Sequence, residues 1–471
     1  MPFLVLLFGE FMLAQSAPVS PDHPWHSTNE QQIEDAAKPF LESRFSIEST
    51  KTYSLAELVN LAEEHNPETR VAWEMARAQM AALGVARSEL YPTVAAIALS
   101  QMVRAEVPFG TVFYRQTVQT FRGELDLNYT IFDFGGRAGR IASARAGLLE
   151  ANFAFNDTHR KIIFQVAQIY YRLLNATGQE EAARANLTNA QTVQQAAEDR
   201  LKNGLATLPD VLEARSSAAQ AQYDLQAALG AEKNARGDLA TALGARPSDA
   251  IQVQPIDKLV IPDSIADSVD NAIDRALVQR PDLMQQVAEI RKANASIKEA
   301  RAAFYPALSV VVSPNAQTLY GLQQELPWAH TADLAGGLNF SLNWTLFDGG
   351  ARKSKLARAQ ATLRAAEAQV RVKDDEVADE VWKAYSNVET SLRQRQAAAA
   401  LLIAADQSYS AALESYNDGV RNLLDVTAAQ KTLAQARSVD VLARAQVLSN
   451  LSDLVFETAD LIQSSARRSQ P

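Results

Sequence analysis

Two stretches of this chain carry the same phrase: "YTIFDFGGR" at 129–137 and "WTLFDGGAR" at 344–352. Other pairs keep the same spacing. Asn66-Pro67-Glu68 is answered by Arg280-Pro281-Asp282, Tyr91-Pro92 by Tyr305-Pro306, Gly204 by Gly419, and Asp210-Val211 by Asp425-Val426, always 214 or 215 positions on. A register held this far along a chain marks an internal duplication. The period is too long for a solenoid, so the repeat is two copies of one large unit. We place them at 53–244 and 266–467, joined by a linker at 245–265 that contains Pro247, Pro255 and Pro262.

Within each unit the hydrophobic period changes. Ser54-Leu-Ala-Glu57 has the form of a capping box and predicts a helix start. A second helix runs to about Glu89, where Pro92 turns the chain extended. Thr93 to Val103 reads as a strand. After a loop, Leu125, Leu127, Tyr129 and Ile131 alternate with polar residues, a period of two. In the second unit the paired strands are about Tyr305 to Ser313 and Leu338 to Leu346. The loops between strands fall at 104–121 and 314–335. Then come the joints, Asp133 with Gly135-Gly136 and Asp348 with Gly349-Gly350, where glycine permits tight turns.

Beyond the joints the period becomes helical. Ile141, Leu148, Phe155, Ile162 and Ile169 recur every seven residues, as do Leu356, Leu363, Val370 and Val377. A seven-residue repeat predicts helices that supercoil round neighbours, each about 100 Å long at ~1.5 Å per residue. The runs break at Gly204 and Gly419. Return helices reach about Ala242 and Ile462.

Composition removes several function classes. The net charge is −10 with no basic run, which argues against nucleic acid. There is no cysteine, so disulfides, thiolate metal sites, cysteine nucleophiles and an N-terminal lipid-bearing Cys are excluded. The five histidines match no metal spacing, and no phosphate loop, dinucleotide fingerprint or nucleophile elbow occurs. We therefore expect no enzyme activity, no metal and no cofactor. "KDDEVADE" at 373–380 reads as a solvated helix face. At the N-terminus, "PFLVLLF" and "AQSA" read as an export signal over 1–17. It lacks a preceding cation and is interrupted by Glu10, and an irregular tail is the other reading. Residues 18–52, rich in proline, read as a loosely ordered tail.

No apolar run is long enough for a membrane-spanning helix, so any spanning part must be a barrel. Four strands cannot close one, since about 8 is the minimum. Either the strands pack on something else, or several chains pool them. Tyr91, Tyr129, Phe132, Tyr305, Trp344 and Phe347 near strand ends suit the aromatic girdles of a barrel, although strands favour aromatics in any fold.

The region 53–467 resembles the TolC-type outer membrane factor family. The resemblance rests on the duplicated unit, on "TIFDFGG" and "TLFDGG", and on the turns "RLKNGLATLPDVLEAR" and "SYNDGVRNLLDVTAAQ". It implies an α+β membrane protein in the bacterial outer membrane that extends through the periplasm. It implies a homotrimer with a twelve-stranded β-barrel, four strands per chain, continued by a coiled-coil α-helical barrel. The implied function is a passive exit duct for efflux or type I secretion. The implied partners are a periplasmic adaptor and an inner-membrane pump or ABC exporter. By matching positions, Tyr416, Arg421 and Asp425 take gate roles with Asp210 as acidic partner. Gly204-Leu205 and Gly419-Val420 form the adaptor-docking turns. Ala428 stands where the family has a second ring Asp. Plainer readings stay open. Asp210 and Asp425 sit where an acid caps a helix, Arg421 where an arginine is simply solvated, and a soluble coiled-coil scaffold explains the period of seven while leaving the strands unused.

Overall fold

The computed structural model describes residues 50–460 except 266 and 324–327, together with 22, 30–42, 45, 47 and 48. The export signal over 1–17 and the end of the second unit beyond 460 lie outside them. Ahead of the first unit lies α1 (Glu30–Glu42), and β1 (Thr52–Tyr53) opens it; the unit then contains α2 (Leu55–His65), α3 (Pro67–Ser88), β2 (Thr93–Phe109), β3 (Val112–Phe132), α4 (Gly136–Lys202) and α5 (Leu208–Ala242). The linker adds β4 (Gln252–Val253). The second unit contains α6 (Val269–Gln279), α7 (Pro281–Ala302), β5 (Ala307–Val312), β6 (Asn315–Gln323), β7 (Ala329–Ala335), β8 (Leu338–Asn343), α8 (Ala351–Asn417) and α9 (Leu423–Glu457).

The copies agree in length. Helices α2 and α6 have 11 residues each, α3 and α7 22, α4 and α8 67, and α5 and α9 35. The caps follow from the sequence. Ser54 N donates to the Glu57 carboxylate at 2.9 Å while the Ser54 hydroxyl accepts from Glu57 N at 3.4 Å, a capping box. Pro67 and Pro281 occupy the first turns of α3 and α7, where a missing N–H costs nothing. Helix α9 ends at Glu457 rather than Ile462, with Thr458 at its C-cap.

The strand regions differ from expectation. Residues 104–121 are not a loop: β2 and β3 pair unbroken from Thr93↔Asn128 to Phe109↔Val112, leaving only Gly110-Thr111 as the turn. Arg104 and Glu106 alternate with Ala105 and Val107, so the strand period continues while the polarity rises. Residues 314–335 likewise carry β6 and β7. Strands β5 and β6 form one lane interrupted at Ser313-Pro314, because proline has no N–H for the ladder. Strands β7 and β8 form another, interrupted at Gly336-Gly337. Ser313 and Gly337 still exchange backbone hydrogen bonds at 2.9 and 3.3 Å across the two breaks. The sheet is therefore four antiparallel lanes in the order β2, β3, β5/β6, β8/β7. Lane β8 stops at Asn343, short of Leu346, and Trp344 Nε1 donates to the Phe304 carbonyl at 3.2 Å.

The repeated phrase builds one joint twice. Asp133 Oδ2 accepts from Arg137 N at 2.5 Å, and Asp348 Oδ2 from Arg352 N at 3.0 Å, so each Asp caps the start of a long helix. Each Arg then reaches back to the strand: Arg137 Nη2 to the Ile131 carbonyl at 3.1 Å, Arg352 Nη2 to that of Leu346 at 3.2 Å. Gly135 and Gly350, at the N-caps, have φ of 92° and 89°, which disfavours any Cβ. Phe134 occupies the left-handed region at 50° where the other copy has Gly349. Its ring stacks on Tyr305, centroids 4.9 Å apart.

Below the joints α4 packs against α3, α5, α7 and α9, and α8 against α7 and α9. Three buried clusters divide the long helices. One, around Ile162, Tyr170, Leu173, Leu239 and Leu243, also takes in Ile251 and Ile256 of the linker and Ile47 and Tyr53. The linker is thus part of a core. Within the expected loose tail 18–52, Glu30–Glu42 form α1, Phe45 is bridged to Ala245 and Ile47 is buried in this cluster. A second lies along α6, α8 and α9, and the third at the far tip. A buried charge network ties α4, α7, α8 and α9 together. Arg280 pairs with Asp282 at 2.6 Å, Glu380 at 2.7 Å and Glu457 at 2.5 Å. Lys373 and Glu380 of the "KDDEVADE" run join it, so that run is not wholly a solvated face. No helix among the described residues is long and apolar enough to cross a membrane.

Candidate functional site

The far end of the molecule is made by the turns α4–α5 and α8–α9. Both long helices close alike. Gly204 N donates to the Leu201 carbonyl at 3.0 Å and Leu205 N to that of Arg200 at 2.8 Å; Gly419 N donates to that of Tyr416 at 3.0 Å and Val420 N to that of Ser415 at 2.9 Å. These are the paired closing bonds of a Schellman motif. They leave Leu205 and Val420 projecting into solvent.

The return helices begin differently. In α5 the Asp210 carboxylate accepts from Thr207 N at 2.8 Å and from the Thr207 hydroxyl at 2.7 Å. These two donors, the hydroxyl first, hold the Asp210 carboxyl below the usual carboxylate range. Asp210 therefore serves as a capping group. In α9 the cap is Asn422, whose Oδ1 accepts from Asp425 N at 3.0 Å. The Asp425 carboxylate is exposed and has no partner among the described residues, so it is free for another use.

Tyr416 is 4 % exposed, inside the tip cluster with Val193, Val211, Leu423 and Val426. Burial pushes its phenol up; the neighbouring Arg200 opposes this, and the Asp210 charge adds to it. Its hydroxyl is buried without a hydrogen-bond partner among the described residues. Arg421 is exposed and likewise unpaired among them. The fold thus brings Tyr416 and Asp210 within electrostatic reach of each other but does not join Arg421 to either within one chain. Ala428 is exposed.

The sequence reading missed Arg200. Its guanidinium carbon lies 4.7 Å from the centre of the Tyr416 ring, a cation–π contact. Its Nη1 donates to the carbonyls of Tyr416 at 2.6 Å and Asn417 at 3.2 Å, the negative end of α8. A signal was present. Arg200 corresponds to Ser415 in the other copy, and Tyr416 to Leu201. Arg200 and Tyr416 thus stand at two of the positions where the duplicated turns differ. No group of three His, Cys, Asp or Glu able to hold a metal occurs among the described residues.

The family model described as "Outer membrane efflux protein" matches residues 58–245 and 272–457, one match per copy. The chain belongs to the outer membrane efflux protein family. As a member of that family it is a bacterial outer membrane protein. Protein CyaE of Bordetella pertussis is 26 % identical over 87 % of this chain and 85 % of its own length. Outer membrane protein OprJ of Pseudomonas aeruginosa is 24 % identical over 80 % and 78 %. Among solved structures, CusC superposes with a TM-score of 0.75 over 88 % of this chain and 95 % of its own, at 20 % identity. The fold of this family member is accordingly that of the TolC-like channels, strand lanes above and long helices below.

Proposed function

We propose that the protein is a passive exit duct. Three identical chains pool four strand lanes each into one twelve-stranded barrel, and their long helices continue below it as a tunnel. The two units, 53–244 and 266–467, with the linker 245–265 between them, contribute equally to both parts. The observation that carries this is the open sheet. Lanes β2 and β8/β7 have no partner on their outer sides among the described residues, and every residue of β7 and β8 is exposed. Unpaired edges are not tolerated in lipid, and four lanes are too few to close.

At the tip, three copies of the free Asp425 carboxylate form an acidic ring that attracts cations and repels anions. Arg421 holds each second hairpin inward against an acidic group of the neighbouring copy, with Asp210 the candidate. Tyr416, wedged by Arg200, sets how closely the two hairpins of one chain pack. Leu205 and Val420 on the exposed turns receive a periplasmic adaptor, which connects the duct to an inner-membrane pump. Efflux is the cargo class that the family description supports. A neighbouring gene for a proton-driven pump would support it, whereas an ATP-binding exporter would favour type I secretion.

The test is electrical. The purified protein should run as a heat-sensitive trimer and give small, cation-selective conductance in a planar bilayer. Asp425→Asn should weaken the selectivity, and Arg421→Glu should raise conductance several-fold with the trimer intact. A monomeric, non-conducting particle overturns the duct; an intact trimer indifferent to both substitutions overturns the gate.

A further inference from the structure

Helices α4 and α7 run side by side directly below the joints and bear grooves on opposite sides. One is lined by Arg140, Glu150, Lys292 and Glu299, and its charges are matched: Lys292 pairs with Glu150 at 3.2 Å and Arg140 with Glu299 at 3.8 Å. The other has an apolar floor that includes Ala146, Leu149 and Ala295, and its charged residues are Arg145, Arg291 and Lys298. All three cations are exposed, and none has a hydrogen bond or ion pair among the described residues. In a chain of net charge −10, three exposed cations over an apolar floor, with no acid in the lining, make a local positive patch that favours an anion from outside the chain.

Position supplies the class of that partner. Rise along the helices puts Lys298 about 6 Å, Arg145 about 14 Å and Arg291 about 17 Å below the ends nearest the sheet. Exposed Phe134, Phe304 and Tyr305 lie at that boundary, the residue types of a membrane interface. Side chains on a helix lean toward its N-terminus. Arg145 on α4 therefore leans toward the sheet, and its long stem shortens the distance further, whereas Lys298 and Arg291 on α7, whose C-terminus is the end nearest the sheet, lean the other way. A headgroup layer is roughly 5–8 Å thick, so Lys298 starts within it and Arg145 reaches it along its stem, while Arg291 lies below it and acts on it through space. The helix pair also occupies the middle of the helical layer α3, α4, α7, α8, away from the edges that a second copy would cover.

We propose that this groove binds the phosphate of an anionic phospholipid from the periplasmic leaflet, whose acyl chains stay in the bilayer above. The inference rests on the placement of the barrel in the outer membrane. The test titrates the purified full chain with phosphatidylglycerol and, separately, phosphatidylcholine, read as bound lipid by native mass spectrometry. Phosphatidylglycerol should bind preferentially. Arg145→Gln/Arg291→Gln/Lys298→Gln should lose that preference on the order of 10–100-fold, at about 1 kcal/mol per cation near an anionic surface and tenfold per 1.4 kcal/mol. A charge-keeping triple, Arg145→Lys/Arg291→Lys/Lys298→Arg, should retain it. Three results overturn the inference: no preference in the unaltered chain, full competition by inorganic phosphate, or unchanged lipid binding with altered ion selectivity in the glutamine triple, which would mean that the groove faces the lumen. The duct reading fails separately, if the unaltered chain does not reach the outer membrane as a trimer.

Discussion

Glu457 shows how a single residue reads the whole charge network. It sits where α9 ends, 2.5 Å from Arg280, with Glu380 on α8, Arg160 on α4 and Asp453 on its own helix acting on it. Burial pushes its carboxyl up to about 7, against the pull of Arg280. Asp282 goes the opposite way, held below the carboxylate range despite its burial by Arg280, Arg160 and Lys373. For Glu457 the folded state keeps a proton that the unfolded chain releases near pH 4.3. Its contribution to stability is therefore complete below that value and is lost as pH rises toward 7. The Asp282 contribution is lost only in acid, outside this window. We expect the melting temperature to fall between pH 5 and 8 by the equivalent of a few kcal/mol, and Glu457→Gln to flatten that slope. A scan in which both proteins fall in parallel sinks the assignment. At this same scale the sequence was least legible. "LPDV" and "LLDV" look like one helix start, yet Asp210 caps and Asp425 does not. The difference lies three residues back: Thr207 offers a hydroxyl donor to the acid, while Asn422 offers an acceptor to the backbone.

At the scale of elements, helices were legible and strand ends were not. Helix starts depend on local groups such as Ser54-Glu57 and Pro281, which the chain order displays. The extent of β2 and β3 depends on pairing partners far along the chain, so a run containing Arg104, Glu106 and Arg115 looked like a loop. The joints combine both cases. Their Asp–Gly–Arg pattern was visible, but the return of Arg137 and Arg352 to strand carbonyls was not, because it requires the strand and the helix together. Gly135→Val and Gly350→Val force a β-branched side chain into the left-handed region, at about 1–2 kcal/mol each. We expect both to lower the melting temperature and the yield of assembled protein. Gly123→Ala is the control: Gly123 lies within β3, and a Cβ there would meet nothing within 4 Å. Equal losses from all three would show that backbone handedness at the joint is not the cause.

At the scale of the whole molecule the duplication was the clearest signal, because a spacing of 214 or 215 positions survives even where individual residues have changed. What it could not show was that the linker, together with Phe45, Ile47 and Tyr53, closes a core around the middle of the long helices. The match in helix lengths has a consequence of its own. With 67 residues going out and 35 coming back in each half, both tips arrive at the same depth, and the chain works as a ruler. Seven residues added to α4, α5, α8 and α9 together should extend it by about 10.5 Å with packing phase preserved. The same addition to α4 and α5 alone should leave one tip overshooting and pull Arg200 off Tyr416. Length measured by electron microscopy and conductance would distinguish a gauge that tolerates rescaling from one that needs only a single tip at the right height.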